Sequence, residues 1–410
     1  MKGTYIVGTG ATALGKFPGQ SVKDLTRSAV FSALDDAGLQ IGDIEAAWFS
    51  NTRQGLLEGQ NGIRGQCALR SMGFAGIPIV NIENACASGS TALREALAHI
   101  RAGMCDVALV TGAEKMFYPE KREAMFKAFM GGTDIHQLEQ LRREIHAPQH
   151  TDSGSVNVTT RSIFMDIYAY TARLHMQQFG TTERQIAHAA AKNHFHSTFN
   201  PLSQYQTDMS VDQVLADKLI CPPLTRAMCA PISDGAAAVI LCSDAVLDKL
   251  GLRKRSIRVA GLSLKSGTQR PLEDFNRHIG RFAANEAYQE ASIGPEEVSV
   301  AEVHDACAFA EILQIENLGF CAPGRGGELT EQGETTLGGR IPVNPSGGLV
   351  SKGHPVGATG ILQWFELVTQ LRGEAGRRQV ANARVAVAEN GGGFWGVEEA
   401  VTTVSVLVRD

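Results

Sequence analysis

Apolar residues fall into two alternating patterns along this chain. Short, nearly continuous runs at 107–111, 236–242 and 385–388 have the length and composition of strands buried on both faces. Between them lie stretches such as 90–101 and 361–371, with apolar positions three and four apart, which predict helices with one packed face. Strands and helices in alternation predict an α/β fold.

The alternation repeats at long range. Residues 33–50 read as a helix ending near Gly38 followed by a strand, and residues 287–304 repeat that order. Ala37/Ala291, Leu39/Ile293, Ile44/Val298 and Phe49/Val303 fall in step. Further on, Val80-Asn81 leads through a small-residue turn to the 90–101 helix and the 107–111 strand. Val343-Asn344 leads through a Gly-rich turn to the 361–371 helix and the 385–388 strand. Four landmarks in one order predict a duplicated α/β fold. Residues 117–202 break the rhythm. They are rich in His, Met, Gln and charge, with helical pieces at 162–178 and 183–196, and read as an inserted loop domain over the site. One half therefore comprises 1–116 and 203–248, the other 249–410.

Composition narrows the function classes. At 410 residues, with 43% apolar and 20% charged positions, the chain is neither disordered nor short of core. No apolar stretch approaches the roughly 18 residues that span a bilayer, and residues 1–15 lack a signal-peptide core, so a cytoplasmic protein without membrane contact is expected. A net charge of −5 without basic blocks argues against nucleic acid. The eight cysteines include no C-x-x-C and no metal spacing, which predicts free thiols and no metal site. Gly8 and Gly10 are followed next by Gly15, so the dinucleotide fingerprint is not met.

The chemistry concentrates in four places. Cys86 lies in N-I-E-N-A-C-A-S-G-S-T at 81–91, between an apolar run and a helix, where unpaired N–H groups favour a thiolate and can bind an oxyanion. His354 sits in N-P-S-G-G-L-V-S-K-G-H-P-V-G-A-T-G at 344–360, the equivalent elbow of the second half. His304 closes the strand in E-V-H-D-A-C at 302–307, and Glu389 precedes the Gly391–Gly393 turn. One Cys and two His at element ends, with two Gly-rich loops, point to a thiol acyltransferase.

These motifs, with K-N-H-F-H-S-T-F-N-P-L-S-Q-Y-Q at 192–206 and S-D-G-A-A-A at 233–238, resemble thiolases of the sterol-carrier-protein type over nearly the whole chain. The resemblance implies a five-layered αβαβα fold, a homodimeric core, and CoA-thioester chemistry on acyl-CoA with CoA as co-substrate and no permanently bound cofactor. It implies Cys86 as the acylated nucleophile, His354 as its base, and His304 paired with His354 on the thioester oxygen. The N–H groups of Cys86 and Gly391 would hold the acyl oxyanion, and Ser346 and Gly347 would neighbour the pantetheine. His188, His194 and His196 would be structural. Cleavage of a 3-ketoacyl-CoA by CoA, releasing acetyl-CoA, is the implied reaction.

The sequence also departs from the pattern. Glu389 stands where most thiolases carry a second cysteine, and Ala306 followed by Cys307 stands where the sterol-carrier type has H-D-C. The acid/base for the substrate α-carbon is open, in the order Glu389, Cys307, then water. Cys307 is displaced by one residue and faces the other way. Met116, Phe117, Met125, Phe126 and Phe129 could line a pocket for a bulky or aromatic acyl group, with core or interface packing the favoured use of each. A second reading is a thiolase-like subunit that needs a small OB-fold or zinc-ribbon partner, acting on aromatic or steroid-derived substrates, in acetyl transfer, or as a retro-aldolase. A non-catalytic carrier on the same fold does not require Cys86, His304 and His354 together.

Overall fold

The run at Gly235–Ser243 is buried at every position because opposite faces meet different layers. Ala236, Ala238, Ile240 and Cys242 pack with Leu25, Val30 and Leu34 of the helix Val22–Ala37. Ala237, Val239 and Leu241 face Leu93 and Leu97 of the helix Ser88–Arg101 and Trp364 of the helix Thr359–Arg372. A period of two thus sends alternate side chains into two separate cores.

A computed structural model describes residues 3–145 and 162–410. Its strands are β1 Thr4–Ala11, β2 Ala46–Ser50, β3 Ile79–Ile82, β4 Val107–Glu114, β5 Leu219–Cys221, β6 Leu224–Thr225, β7 Gly235–Ser243, β8 Ile257–Ser266, β9 Val300–Glu302, β10 Val385–Trp395 and β11 Glu398–Val408. Nine of them form a sheet in the order β3-β2-β4-β7-β1-β8-β11-β10-β9. Read outward from the β1/β8 join, the two halves match: β1-β7-β4-β2-β3 against β8-β11-β10-β9, then Val343 bridged to Ala301. The join itself is short, pairing Tyr5 with Arg258 and Ile6 with Ile257.

Layering follows from which apolar faces meet. Val387 of β10 packs with Ala283 and Ala287 of the helix Ile279–Ala291, while Ala386 and Ala388 face the two central helices. The result is helix, half-sheet, helix pair, half-sheet, helix, with the half-sheets joined at β1 and β8: the expected five-layered α/β architecture. Corresponding helices end alike, Val22–Ala37 at Gly38 with φ 67° and Ile279–Ala291 at Ser292 with φ 55°.

The helices Arg122–Met130, Leu138–Ile145, Ile163–Phe179 and Glu183–Ser197 form the covering layer. Its core joins Ile145, Phe164 and Ile167 to Val214, Leu224 and Met228. The layer therefore runs on to about residue 228, past the boundary expected at 202. The helix Val211–Ala216 contributes to this core, and the β5–β6 hairpin pairs with no strand of the large sheet. Residues 146–161 of the expected insert lie outside the described residues.

The two central helices cross where there is no room for side chains. A Cβ on Gly360 would stand 2.5 Å from the backbone N of Ser90. Gly360→Ala is expected to cost about 2 kcal/mol by forcing the helices apart and to lower activity with it. Urea denaturation and an acyl-transfer assay check this; a variant with wild-type stability would show that the crossing tolerates separation.

Candidate active site

Cys86 is held in a 3-10 turn, Ala85–Ala87, between β3 and the helix Ser88–Arg101. Ala85 has φ 48°, a left-handed conformation that a residue with a Cβ adopts only under constraint. The constraint is local: Ala85 N–H donates to Glu83 Oε1 at 2.8 Å, and Ser88 Oγ donates to the Ala85 carbonyl at 2.6 Å. The turn leaves Sγ at the helix N-terminus.

His354 comes from the other half and meets Cys86 across 268 residues of chain, with Nε2 3.3 Å from Sγ. Its backbone N–H donates to Ser233 Oγ at 2.9 Å. Nδ1 lies 2.7 Å from Thr359 Oγ1, which itself donates to the Pro355 carbonyl. The threonine proton is thus committed, so Nδ1 carries the imidazole N–H and the Nε2 lone pair faces the thiol. That is the tautomer of a base.

His304, just after β9, packs edge-on against His354 with ring centroids 5.2 Å apart. Neither of its ring nitrogens has a partner among the described residues, although the residue is buried. The ligand-bearing atoms of Cys86, His304 and His354 all lie within 4.8 Å of one another. Such a cluster suits a shared small target, either a substrate oxygen or a metal ion.

Burial sets the charge state. It pushes the Cys86 thiol up to about 11, against the pull of Arg53 and of the Gly393 N–H directed at it. It lowers His354 well below the usual imidazole range, with His304, Arg53 and Lys352 adding to the effect. His304 falls to about 4, again through burial. At neutral pH the resting site is therefore a neutral thiol beside two neutral imidazoles.

These groups open into a cavity of about 750 Å³. Cys86, His304, His354, Met116, Phe126 and Phe129 line it, whereas Met125 and Phe117 belong to a small cluster beside it. Other expectations land elsewhere. Glu389 stands behind the wall, accepting the His304 backbone N–H at 3.0 Å. Cys307 caps the helix Ala308–Asn317 and is fully buried in the covering-layer core; its neighbour Ala306 takes the cavity wall, as the one-residue displacement requires.

Gly391 pairs with Thr402 inside the sheet, while Gly392 and Gly393 reach the cavity. The left-handed φ of 63° at Gly393 breaks the strand geometry at that point. Ser346 and Gly347 do not border the cavity either. Ser346 Oγ donates to Glu302 Oε2 at 2.7 Å, and Gly347 is packed on Ser197. Both are scaffolding for the His354 loop, because the buried Glu302 carboxylate captures the serine.

The loop-layer histidines have structural partners. His194 donates to the Ala227 carbonyl at 3.0 Å and accepts from Ser351. His196 donates to the Asn344 carbonyl at 2.9 Å and accepts from the Leu337 N–H. His188 lies 4.0 Å from Glu331 at the outer surface.

Among the cavity residues that escape a sequence reading are Glu399, Tyr168 and Arg53. Glu399 follows the turn that folds β11 back on β10, opposite Phe394. Gln314 Nε2 donates to its Oε1 at 2.9 Å, and His278 Nε2 lies 3.3 Å from Oε2. Burial, with Glu398 beside it, pushes the Glu399 carboxyl up to about 7. Its signal was available only by pairing the hairpin, since in sequence it is an ordinary acidic strand residue.

With this geometry in hand, the chain matches two families of known proteins. Residues 4–220 match the thiolase N-terminal domain and residues 266–405 the thiolase C-terminal domain-like family. The protein belongs to the thiolase family and is an acyltransferase of that family. It is 36% identical to an acetyl-CoA acetyltransferase of Methanothermobacter thermautotrophicus, over 97% of this chain and 98% of that one. It is 35% identical to human sterol carrier protein 2, over 95% of this chain and 70% of the human protein. Benzoylsuccinyl-CoA thiolase subunit BbsB of Thauera aromatica is 32% identical, with 95% and 94% covered. In fold, a solved Ltp2-ChsH2(DUF35) aldolase superposes with a TM-score of 0.77 at 20% identity, covering 100% of this chain and 98% of that one.

The neutral thiol has a measurable consequence. A thiol with its pKa raised to about 11 gains thiolate throughout the alkaline range. Alkylation of Cys86 by iodoacetamide in the free protein is expected to climb roughly tenfold per pH unit from 7 to 10. Peptide mass spectrometry follows it, and a plateau below pH 8 would mean that an ion pair with His354 already exists.

Proposed function

We propose that the protein cleaves a 3-ketoacyl-CoA with CoA through an acyl-Cys86 intermediate, without a metal or a permanently bound cofactor. The observation that carries this reading is the 3.3 Å approach of His354 Nε2 to Cys86 Sγ, in the tautomer of a base. Cys86 attacks the 3-keto carbon while its proton passes to His354 Nε2. The C2–C3 bond breaks, and the thioester oxygen of the departing enolate is held by the imidazole N–H groups of His304 and protonated His354. C2 takes a proton from Glu399, giving acetyl-CoA. CoA then gives its thiol proton to the Glu399 carboxylate and attacks the acyl-cysteine. Cys86 recovers its proton from His354, and the acyl-CoA leaves.

Glu399 takes the acid/base role here in place of Glu389 or Cys307, because it alone of the three borders the cavity. Exposed Lys16, Arg122 and Arg226 at the cavity suit the phosphates of CoA. The edge strand β3, with Val80 40% exposed, is free among the described residues to pair with its copy, which supports a homodimer.

A thiolase-like subunit working with a small partner protein is the second reading. It is favoured by two similarities, to a thiolase subunit and, in fold, to an aldolase solved as a DUF35 complex. One experiment separates the readings. The chain alone, mixed with acetoacetyl-CoA in EDTA, is expected to gain one acetyl group on Cys86 by mass spectrometry. An adduct that forms only with a co-purified partner favours the subunit, and none under either condition ends both readings.

The first step needs protonated Glu399, so kcat/KM for the 3-ketoacyl-CoA should fall as pH rises through about 7. Glu399→Gln is expected to lose about 10²–10⁴-fold in rate and to abolish that limb of the pH profile. A variant that keeps both the rate and the limb would return the role to Glu389 or to water.

A further inference from the structure

Arg53 is a buried cation that the reaction above does not use. It follows β2, is 6% exposed, and lines the same cavity as Cys86. Its Nη1 donates to the Ala128 carbonyl, and the guanidinium lies 5.8 Å from the Phe129 ring centroid. Among the described residues, Nε and Nη2 have no partner.

No carboxylate pairs with this guanidinium among the described residues. Glu114 is the acidic group nearest in effect, but its oxygens are already taken. Oε1 accepts from Asn51 Nδ2 and the Arg53 backbone N–H; Oε2 accepts from Thr52 N–H, Thr52 Oγ1 and Gly357 N–H. A guanidinium in a largely apolar cavity is costly to leave without an anion. Its fork matches a carboxylate through two parallel N–H bonds. Because no ion pair restrains it, it can turn toward an entering anion without breaking one.

Arg53 also shares its cavity with Cys86 and His354, and its charge bears on both. An anion that drew Nε and Nη2 out of the wall would therefore lie in the chamber where Cys86 attacks. CoA's own phosphates lie at the far end of a long pantetheine arm, so the anion belongs to the acyl part.

We propose that Arg53 anchors a free carboxylate carried by the acyl chain, so that the preferred substrates are 3-ketoacyl-CoA thioesters of dicarboxylic acids. The proposal rests on the thiolase reading for the word substrate, but the anchor itself can be tested without turnover.

Adipyl-CoA and hexanoyl-CoA have six-carbon chains, differ at the far end by a carboxylate against a methyl, and lack the 3-keto group that Cys86 attacks. Calorimetric titration of the whole protein is expected to show adipyl-CoA binding roughly 10- to 100-fold tighter, the range of a charge-assisted pair. Arg53→Gln should bring the ratio near one, and Arg53→Lys should keep part of it. Equal binding by the wild type overturns the proposal even if the variants do not fold. A ratio unchanged in Arg53→Gln overturns it too, by placing the selectivity elsewhere. The same pair of chains with a 3-keto group, 3-ketoadipyl-CoA and 3-ketohexanoyl-CoA, then reads turnover. Selective binding without any acyl-Cys86 would sink the thiolase reading and leave the anchor standing.

Discussion

The contact between Cys86 and His354 is the point on which this structure turns. Neither half of the duplicated fold contains it, since each elbow supplies one member and the pair exists only where the two central helices start side by side. At that crossing backbone nears backbone, since a Cβ on Gly360 would stand 2.5 Å from Ser90 N and one on Gly89 3.2 Å from Ile361 N; beside it, Ser50 Oγ donates to the Gly357 carbonyl and Ser90 Oγ to Asn390 Oδ1. Separating the helices by the width of a methyl group would stretch a 3.3 Å contact beyond proton-transfer range. Small residues near both elbows are therefore a requirement of the chemistry as much as of the packing.

A second set of contacts keeps the His354 loop from relaxing. The helix Glu183–Ser197 turns its polar underside inward, where Lys192 pairs with Glu311 and Asn193 donates to Asp305. Asp305 in turn accepts the Leu349 N–H at 2.6 Å, and Lys352 pairs with Glu302. Buried charges of this kind contribute little net stability, but removing one partner leaves the other stranded at a cost of several kcal/mol, about 3–5. Their effect is to make one loop conformation much better than its neighbours. The covering layer thus does more than roof the cavity, because it clamps both histidine-bearing loops from above.

Much of this was legible in the sequence, for reasons that differ by level. The duplicated order could be read because buried strands and one-faced helices leave distinct apolar periods, and both central helices begin within two residues of where their pattern starts. Cys86, His304 and His354 stood out because each ends an element, where α/β sites assemble. Glu389, Ser346 and Gly347 misled because neighbourhood along the chain was taken for neighbourhood in space. A residue two positions from a glycine turn can point into a cavity or behind its wall, and only strand pairing decides which. Glu399 and Arg53 were invisible for the same reason, since nothing local distinguishes a buried Glu or Arg from the many at the surface. Where the inserted layer stops was not legible, because the apolar positions of residues 203–228 mark short elements but not which core those elements join.

The uncharged state of the resting Cys86 thiol bears on how long the protein lasts. Peroxides attack thiolates and largely ignore thiols, and oxidation beyond the sulfenic acid is not readily reversed. A cysteine whose burial keeps its proton on spends its idle time in the form oxidants cannot use. In the cycle proposed above, wear accumulates with the number of turnovers, through the brief thiolate between deacylation and reprotonation, and hardly at all with age.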